Sequence, residues 1–232
     1  MADIVIPEHI RNQYVIADVD ALLFTDYFKT QIPNAKVLVV GAHDEPTANM
    51  LSHIGLDVTG IDLRKYDSKL PPCNYKFIQA DFCELPAEFK REHIGTFDIF
   101  VCLSAIEHFG MCAYKEQRTH RFYDIIGMRT GYDMLKEGGT AYITIPQGSH
   151  YLEVFPHWRV YDVISMYERL VQDFEVTWMH TATAASVMID SRERKAMQGL
   201  LQVDAARYNG IPPSVSTILI LQKVLRKRIS PD

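Results

Sequence analysis

Glu107 and His108 stand side by side in CLSAIEHFG, just past an apolar run that ends at Leu103. A histidine at such a place can act as a general base near neutral pH, taking the proton of a reacting group. The same pair offers a second chemistry. Glu107, His108 and a distant histidine such as His150 or His157 form a donor set for a divalent ion. Two carboxylates, Asp62 in VTGIDL and Asp81 in QADFCELP, each close a short apolar run. Downstream, VFPHWRVYD groups His157, Arg159 and Tyr161 with Trp158. Arg159 suits a carboxylate or phosphate, and Trp158 suits a ring. Trp158 and Tyr161 serve equally well as anchors of the helix that follows. Tyr114, with Arg118, His120 and Arg121 beyond it, is placed to complete a polar pocket.

These residues need a frame that gathers them, and the hydrophobic pattern supplies one. Short apolar runs predict strands at Val37 to Val40, Asp57 to Ile61, Tyr75 to Gln79, Phe97 to Leu103, Thr140 to Ile145, Phe174 to Met179 and Val215 to Gln222. Helical patterns separate them. One is capped by Asp44, takes Pro46 in its first turn and stops at Gly55; others span Tyr123 to Lys136, Val160 to Gln172 and Ser191 to Tyr208. Before residue 35, ADVDALLFTDYFKTQ carries Val19, Leu22, Leu23 and Tyr27 at helical spacing, which predicts a helical extension or lid over residues 1–34. Strand–helix alternation with continuously apolar strands predicts one mostly parallel sheet covered on both faces, in a single domain. Ligands of such sheets bind at the carboxyl ends of the strands. The informative residues are therefore Gly41, Asp62, Asp81 and the stretch after Leu103.

Bulk properties narrow the classes. The 232 residues carry a net charge of -5, which gives no general attraction to nucleic acid. Cys73, Cys83, Cys102 and Cys112 make no C-x-x-C pair, so a zinc knuckle is not expected and a reducing cytoplasm suits the chain. MADIVIPEHIRNQY has charges and a proline where a signal peptide needs an apolar stretch, and no run reaches the ~18 apolar residues of a membrane span.

The first turn, VLVVGAHDEPTA, has one glycine where a dinucleotide site needs G-x-G-x-x-G to cradle two phosphates. That argues against an NAD-dependent oxidoreductase. Asp62 lies 21 positions after Gly41, the distance at which an acid accepts from ribose hydroxyls. Asp81 suits an adenine amino group, with Phe82 or Leu63 packing on the base. Either aspartate could instead only cap a turn. S-adenosylmethionine carries an adenosine and no phosphate, so it tolerates the missing glycines. VLVVGAHDEPTA, VTGIDL, FIQADFCELP, FDIFVCLSAIEHFG and the helix ending MLKEGGTAYITIP together resemble a class I, Rossmann-like S-adenosylmethionine-dependent methyltransferase over roughly residues 35 to 182.

The resemblance implies a three-layer α/β/α sandwich whose seven-stranded, mostly parallel sheet has an antiparallel last strand, the place of Val215 to Gln222. It implies Gly41, Ala42 and His43 near the methionine moiety, Asp62 on the ribose, Asp81 by the adenine amine, and Leu103 and Ser104 under the cofactor. His108, supported by Glu107, is the implied base, with Tyr114, His157, Arg159 and Tyr161 facing a small-molecule acceptor. The expected reaction is O-methylation of a sugar, sugar phosphate or other polar metabolite. The first motif departs from the family, with Val39 near the usual acid and His43 and Glu45 where small residues are common. A non-catalytic scaffold, or a subunit completed by a partner, is therefore the alternative. Some relatives that methylate terminal ribose hydroxyls of small RNAs use Glu-x-x-Glu-His for a metal. Here Ser104 replaces the first glutamate, so no metal is expected.

Overall fold

The computed structural model describes residues 34–43, 47–66, 75–115, 119–148, 150–182 and 215–223. The expected N-terminal helix, the Asp44 cap with Pro46, Arg118 and the Ser191 to Tyr208 helix lie outside the described residues. The strands are β1 (Lys36–Val40), β2 (Asp57–Asp62), β3 (Lys76–Gln79), β4 (Phe97–Leu103), β5 (Leu135–Gln147), β6 (Leu152–Val154), β7 (Trp158–Val160), β8 (Phe174–Ala182) and β9 (Val215–Lys223). The helices are α1 (Thr47–His53), α2 (Ala87–His93), α3 (Tyr123–Met134) and α4 (Val163–Met166), the last running on as a π-turn through Val171. None of the described helices is long and apolar enough to cross a membrane.

Seven strands make one sheet in the order β3-β2-β1-β4-β5-β9-β8, with β6 and β7 as a separate hairpin. β1 pairs in parallel with β2 and β4, and β4 with β5. β9 runs antiparallel between β5 and β8, as the resemblance implies. β1 is central because both its faces are apolar. Leu38 and Val40 join Phe100, Cys102 and Ile143 on one side, and Val37 and Val39 join Ile99, Val101 and Tyr142 on the other. The chain crosses to one side after β1 and returns to the other at β4. A crevice opens where the two crossovers diverge, at the carboxyl ends of β1 and β4.

Several boundaries differ from expectation. α3 stops at Met134 rather than Lys136, because Leu135 turns extended and is fully buried. β5 is consequently longer than Thr140 to Ile145. Val160 belongs to the β6–β7 hairpin, and the next helix starts only at Val163, where Asp162 and Ser165 form a reciprocal cap. The hairpin had no clear signal, since each of its strands has three residues. α3 lies close against β4 because Gly131 has no side chain: a Cβ there would meet the Phe100 ring at 2.3 Å.

Candidate functional site

A cleft of about 710 Å³, open mouth included, lies over the ends of β1, β2 and β4. Its walls contain Gly41, Asp62, Leu63, Asp81, Phe82, Leu103, Ser104, His108 and Tyr114, nine of the residues singled out above.

Gly41 forms the tight turn after β1. Its φ is 83°, and a Cβ would stand 2.6 Å from that of Ala105. Both facts require glycine, and both leave bare backbone at the cleft floor. Ala42 is buried beneath, its carbonyl accepting from the Tyr75 hydroxyl at 3.0 Å. The His43 N–H donates to Asp62 Oδ2 at 3.1 Å, so Asp62 ties the turn after β1 to the end of β2. Opposite them, Ser104 holds the left-handed value φ = 43°. Its N–H donates to Thr144 Oγ1 at 2.8 Å and to the Thr144 carbonyl at 3.2 Å, which secures the conformation.

Asp62 is buried, and Arg64 covers it. The Arg64 N–H and Nε donate to Oδ1 at 2.8 and 3.1 Å, and its terminal nitrogen donates to Oδ2 at 3.1 Å. Asp81 caps the short turn Phe82–Glu84 through Oδ1, which accepts from the Cys83 N–H at 2.9 Å. Phe82 stacks on Phe100 with ring centroids 5.8 Å apart and gives the cleft an apolar wall. Each aspartate thus both fixes a turn and faces the cleft; the two readings of the sequence coexist.

His108 ends a single helical turn, Ile106–His108, with its side chain 16% exposed. Its Nδ1 lies 2.6 Å from the His157 carbonyl. A carbonyl only accepts, so Nδ1 carries the hydrogen and the neutral ring keeps its lone pair on Nε2. Burial pushes the imidazole below its ordinary pKa, and the charges of Arg64 and Arg159 act in the same direction. The hydrogen bond to His157 opposes them in part. An unfolded imidazole titrates near 6.5, so stability is undiminished above about that pH and falls as pH drops toward the lower native value. His108→Gln should therefore flatten the loss of thermal stability on acidification from about pH 7 to 5. Equal slopes in both proteins would mean that His108 is not held neutral.

Glu107 does not line the cleft. It is 3% exposed, and its Oε1 lies 3.8 Å from His108 Nε2, beyond hydrogen-bond distance. Tyr114 holds the opposite rim, its ring edge-on to His108 at 4.9 Å.

The structure revises the expected acceptor wall. Arg159 and Tyr161 are fully buried and do not line the cleft. The Arg159 guanidinium donates to the Phe109 carbonyl at 2.5 Å and the His120 carbonyl at 3.4 Å. It holds the His108 loop to the β6–β7 hairpin rather than reaching a ligand. The Tyr161 hydroxyl donates to Asp124 Oδ2 at 3.1 Å. Burial, and then the Asp124 charge, raise its pKa well above the ordinary phenol, so it stays a donor. His157 contributes its backbone carbonyl, with its ring exposed. Asp124, at 0% exposure inside α3, gathers Arg169 and Tyr161, and Arg159 lies between it at 3.9 Å and Glu153 at 3.5 Å. Sequence reasoning missed Asp124, Arg169, Arg64 and Thr144. Only Arg64 carried a signal, two residues past a strand-end aspartate.

The described residues contain no group of three or more His, Cys, Asp or Glu placed to hold a metal ion. The three described cysteines, Cys83, Cys102 and Cys112, are free thiols, and burial pushes Cys102 far above the ordinary thiol range.

Comparison with solved structures finds the same fold at low identity. The Burkholderia thailandensis 1,6-didemethyltoxoflavin-N1-methyltransferase, with its substrate and S-adenosylhomocysteine, superposes with TM-score 0.58 at 14% identity, over 92% of this chain and 80% of that one. The Haemonchus contortus phosphoethanolamine N-methyltransferase 2, with S-adenosyl-L-methionine, gives 0.60 at 15% identity, over 88% of this chain and 52% of that one. The [4+2]-cyclase SpnF gives 0.59 at 16% identity, over 89% and 81%. No curated protein matches the chain. One family model, Caenorhabditis protein of unknown function, DUF268, matches residues 74–207, more than half of the sequence. The chain is thus a member of the DUF268 family, built on the fold of the class I S-adenosylmethionine-dependent methyltransferases.

Proposed function

We propose that the protein is an S-adenosylmethionine-dependent methyltransferase that methylates a small polar molecule at a hydroxyl oxygen, such as a sugar, a sugar phosphate or a related metabolite. The observation that carries this reading is the convergence on one cleft of Gly41, Asp62, Asp81 and a neutral histidine, His108. The residues fit the cofactor. The bare Gly41 turn leaves room for an amino-acid tail, Asp62 accepts from a ribose diol, and Asp81 Oδ2 remains to accept from an adenine amine beside Phe82. When bound, S-adenosylmethionine supplies an electrophilic methyl group. The chain itself holds the acceptor in line beside the His108–Tyr114 pair and excludes water from that end of the cleft. His108 takes the acceptor's proton at Nε2, while the His157 carbonyl keeps Nδ1 protonated and the ring oriented.

The fold alone leaves the reaction open, since a cyclase shares it. A second reading is a binding scaffold, or a subunit that a partner completes. It is favoured by the single glycine of the first turn and by the arginine already seated on Asp62. Calorimetric titration with S-adenosylmethionine, S-adenosylhomocysteine and NAD separates the readings. Micromolar binding of either sulfur compound, no binding of NAD, and a weakening of about 10²-fold in Asp62→Ala are expected. A folded protein that binds none of the three is the scaffold.

A further inference from the structure

Arg64 occupies the hydrogen-bonding positions that a ribose diol needs. Its Nε and a terminal nitrogen meet both oxygens of Asp62 at 3.1 Å, a bidentate pair that is the geometric counterpart of two hydroxyls donating to one carboxylate. The same guanidinium lies over the Tyr114 ring, its central carbon 4.5 Å from the centroid. Tyr114 in turn touches His108. Arg64 therefore spans the cleft from the proposed ribose subsite to the proposed acceptor subsite, with its side chain only 20% exposed.

A diol and a guanidinium cannot hold the same two carboxylate oxygens together. Entry of the cofactor must lift Arg64 from Asp62. The Tyr114 face and the short tether from Asp62 keep the freed cation at the rim beside His108. There it has lost its counterion in a partly enclosed site, and a sulfonium adds a further positive charge nearby. An anion at the acceptor end restores the balance, and the planar fork of arginine suits a carboxylate or phosphate.

We infer that Arg64 has two positions, a latch on Asp62 in the empty protein and an anion receptor in the cofactor-loaded one, so that the acceptor carries a carboxylate or phosphate and binds second. This rests on the methyltransferase reading above and adds to it the acceptor's charge and the order of binding.

The test is calorimetric titration of S-adenosylhomocysteine into the full chain and into Arg64→Gln, in chloride and in inorganic phosphate at matched pH and ionic strength. In chloride the variant should bind about tenfold tighter, because no latch has to open. Phosphate should tighten binding to the unmodified chain several-fold and leave Arg64→Gln unchanged, since coupling between two sites is reciprocal. Arg64→Lys, which keeps the charge and loses the fork, should fall between them. Weaker or equal binding by Arg64→Gln in chloride, or an unmodified chain indifferent to phosphate, overturns the inference and leaves the methyltransferase reading standing. Failure of every folded version to bind S-adenosylhomocysteine removes both.

Discussion

His108→Ala is expected to lower methyl transfer by about 10²- to 10⁴-fold, the usual contribution of a positioned general base. Affinity for S-adenosylhomocysteine should stay within about twofold, because the interaction lost belongs to the transition state. Three linked features make His108 the base. The His157 carbonyl at 2.6 Å fixes the tautomer, burial keeps the ring neutral, and the side chain lines the cleft. The acid limb of the rate profile should lie below the pH of an ordinary imidazole, since the neutral ring is the reactive form and its pKa is depressed. An acceptor found by screening with S-adenosylmethionine allows the measurement, by the release of S-adenosylhomocysteine. Parallel loss of cofactor affinity and turnover would make His108 a structural residue of the cofactor wall. An unchanged rate would move the base elsewhere or show that the acceptor needs none.

The second large effect is on stability. Asp124→Asn should lower the free energy of unfolding by about 3–5 kcal/mol, the cost of leaving a buried cation without its partner. Asp124 is wholly buried, and both of its oxygens serve Arg169, each at 2.7 Å. The Tyr161 hydroxyl lies at 3.1 Å and the buried Arg159 Nε at 3.9 Å. The asparagine keeps the shape and removes the charge, so Arg169 loses its bidentate anion and Arg159 is left with Glu153 alone, at 3.5 Å. Urea unfolding reads the difference directly. A loss below about 1 kcal/mol is what a solvent-exposed pair would show, and would mean that water reaches the cluster. Replacing Asp124 and Arg169 together by Leu and Met should cost less than the sum of the single changes, because the charges are removed as a set. The same network holds the hairpin that presents the His157 carbonyl, so the Asp124 variant should also loosen the tautomer of His108.

The two halves of the site differ in how far local sequence reveals them. Gly41, Asp62, Asp81 and His108 could be placed at one cleft in advance because each lies at or shortly after the end of a parallel strand, where the chain has few places to go. Strand positions follow from local apolar runs, and the runs at Val37 to Val40 and Phe97 to Leu103 are unambiguous. Arg159 and Tyr161 were expected at the acceptor wall because polar side chains in a loop read as exposed, whereas the structure buries both away from the cleft. Their burial depends on Asp124, 35 and 37 residues earlier in the chain. No local pattern announces that an α-helical aspartate will draw two arginines and a tyrosine inward.

By itself, the sequence determined the alternation of strands and helices, the double-sided core and the residue types at the strand ends, because these depend on hydrophobic periodicity over a few neighbouring positions. Only the tertiary structure decided which polar groups face the cleft and which of their atoms remain available there. The Arg64 clasp across to Tyr114, the His157 carbonyl that sets the His108 tautomer, and the inward turn of Arg159 all join residues that are far apart in the chain. Such contacts are chosen by burial and charge balance among groups that meet only after the sheet has closed, so no window of sequence contains them.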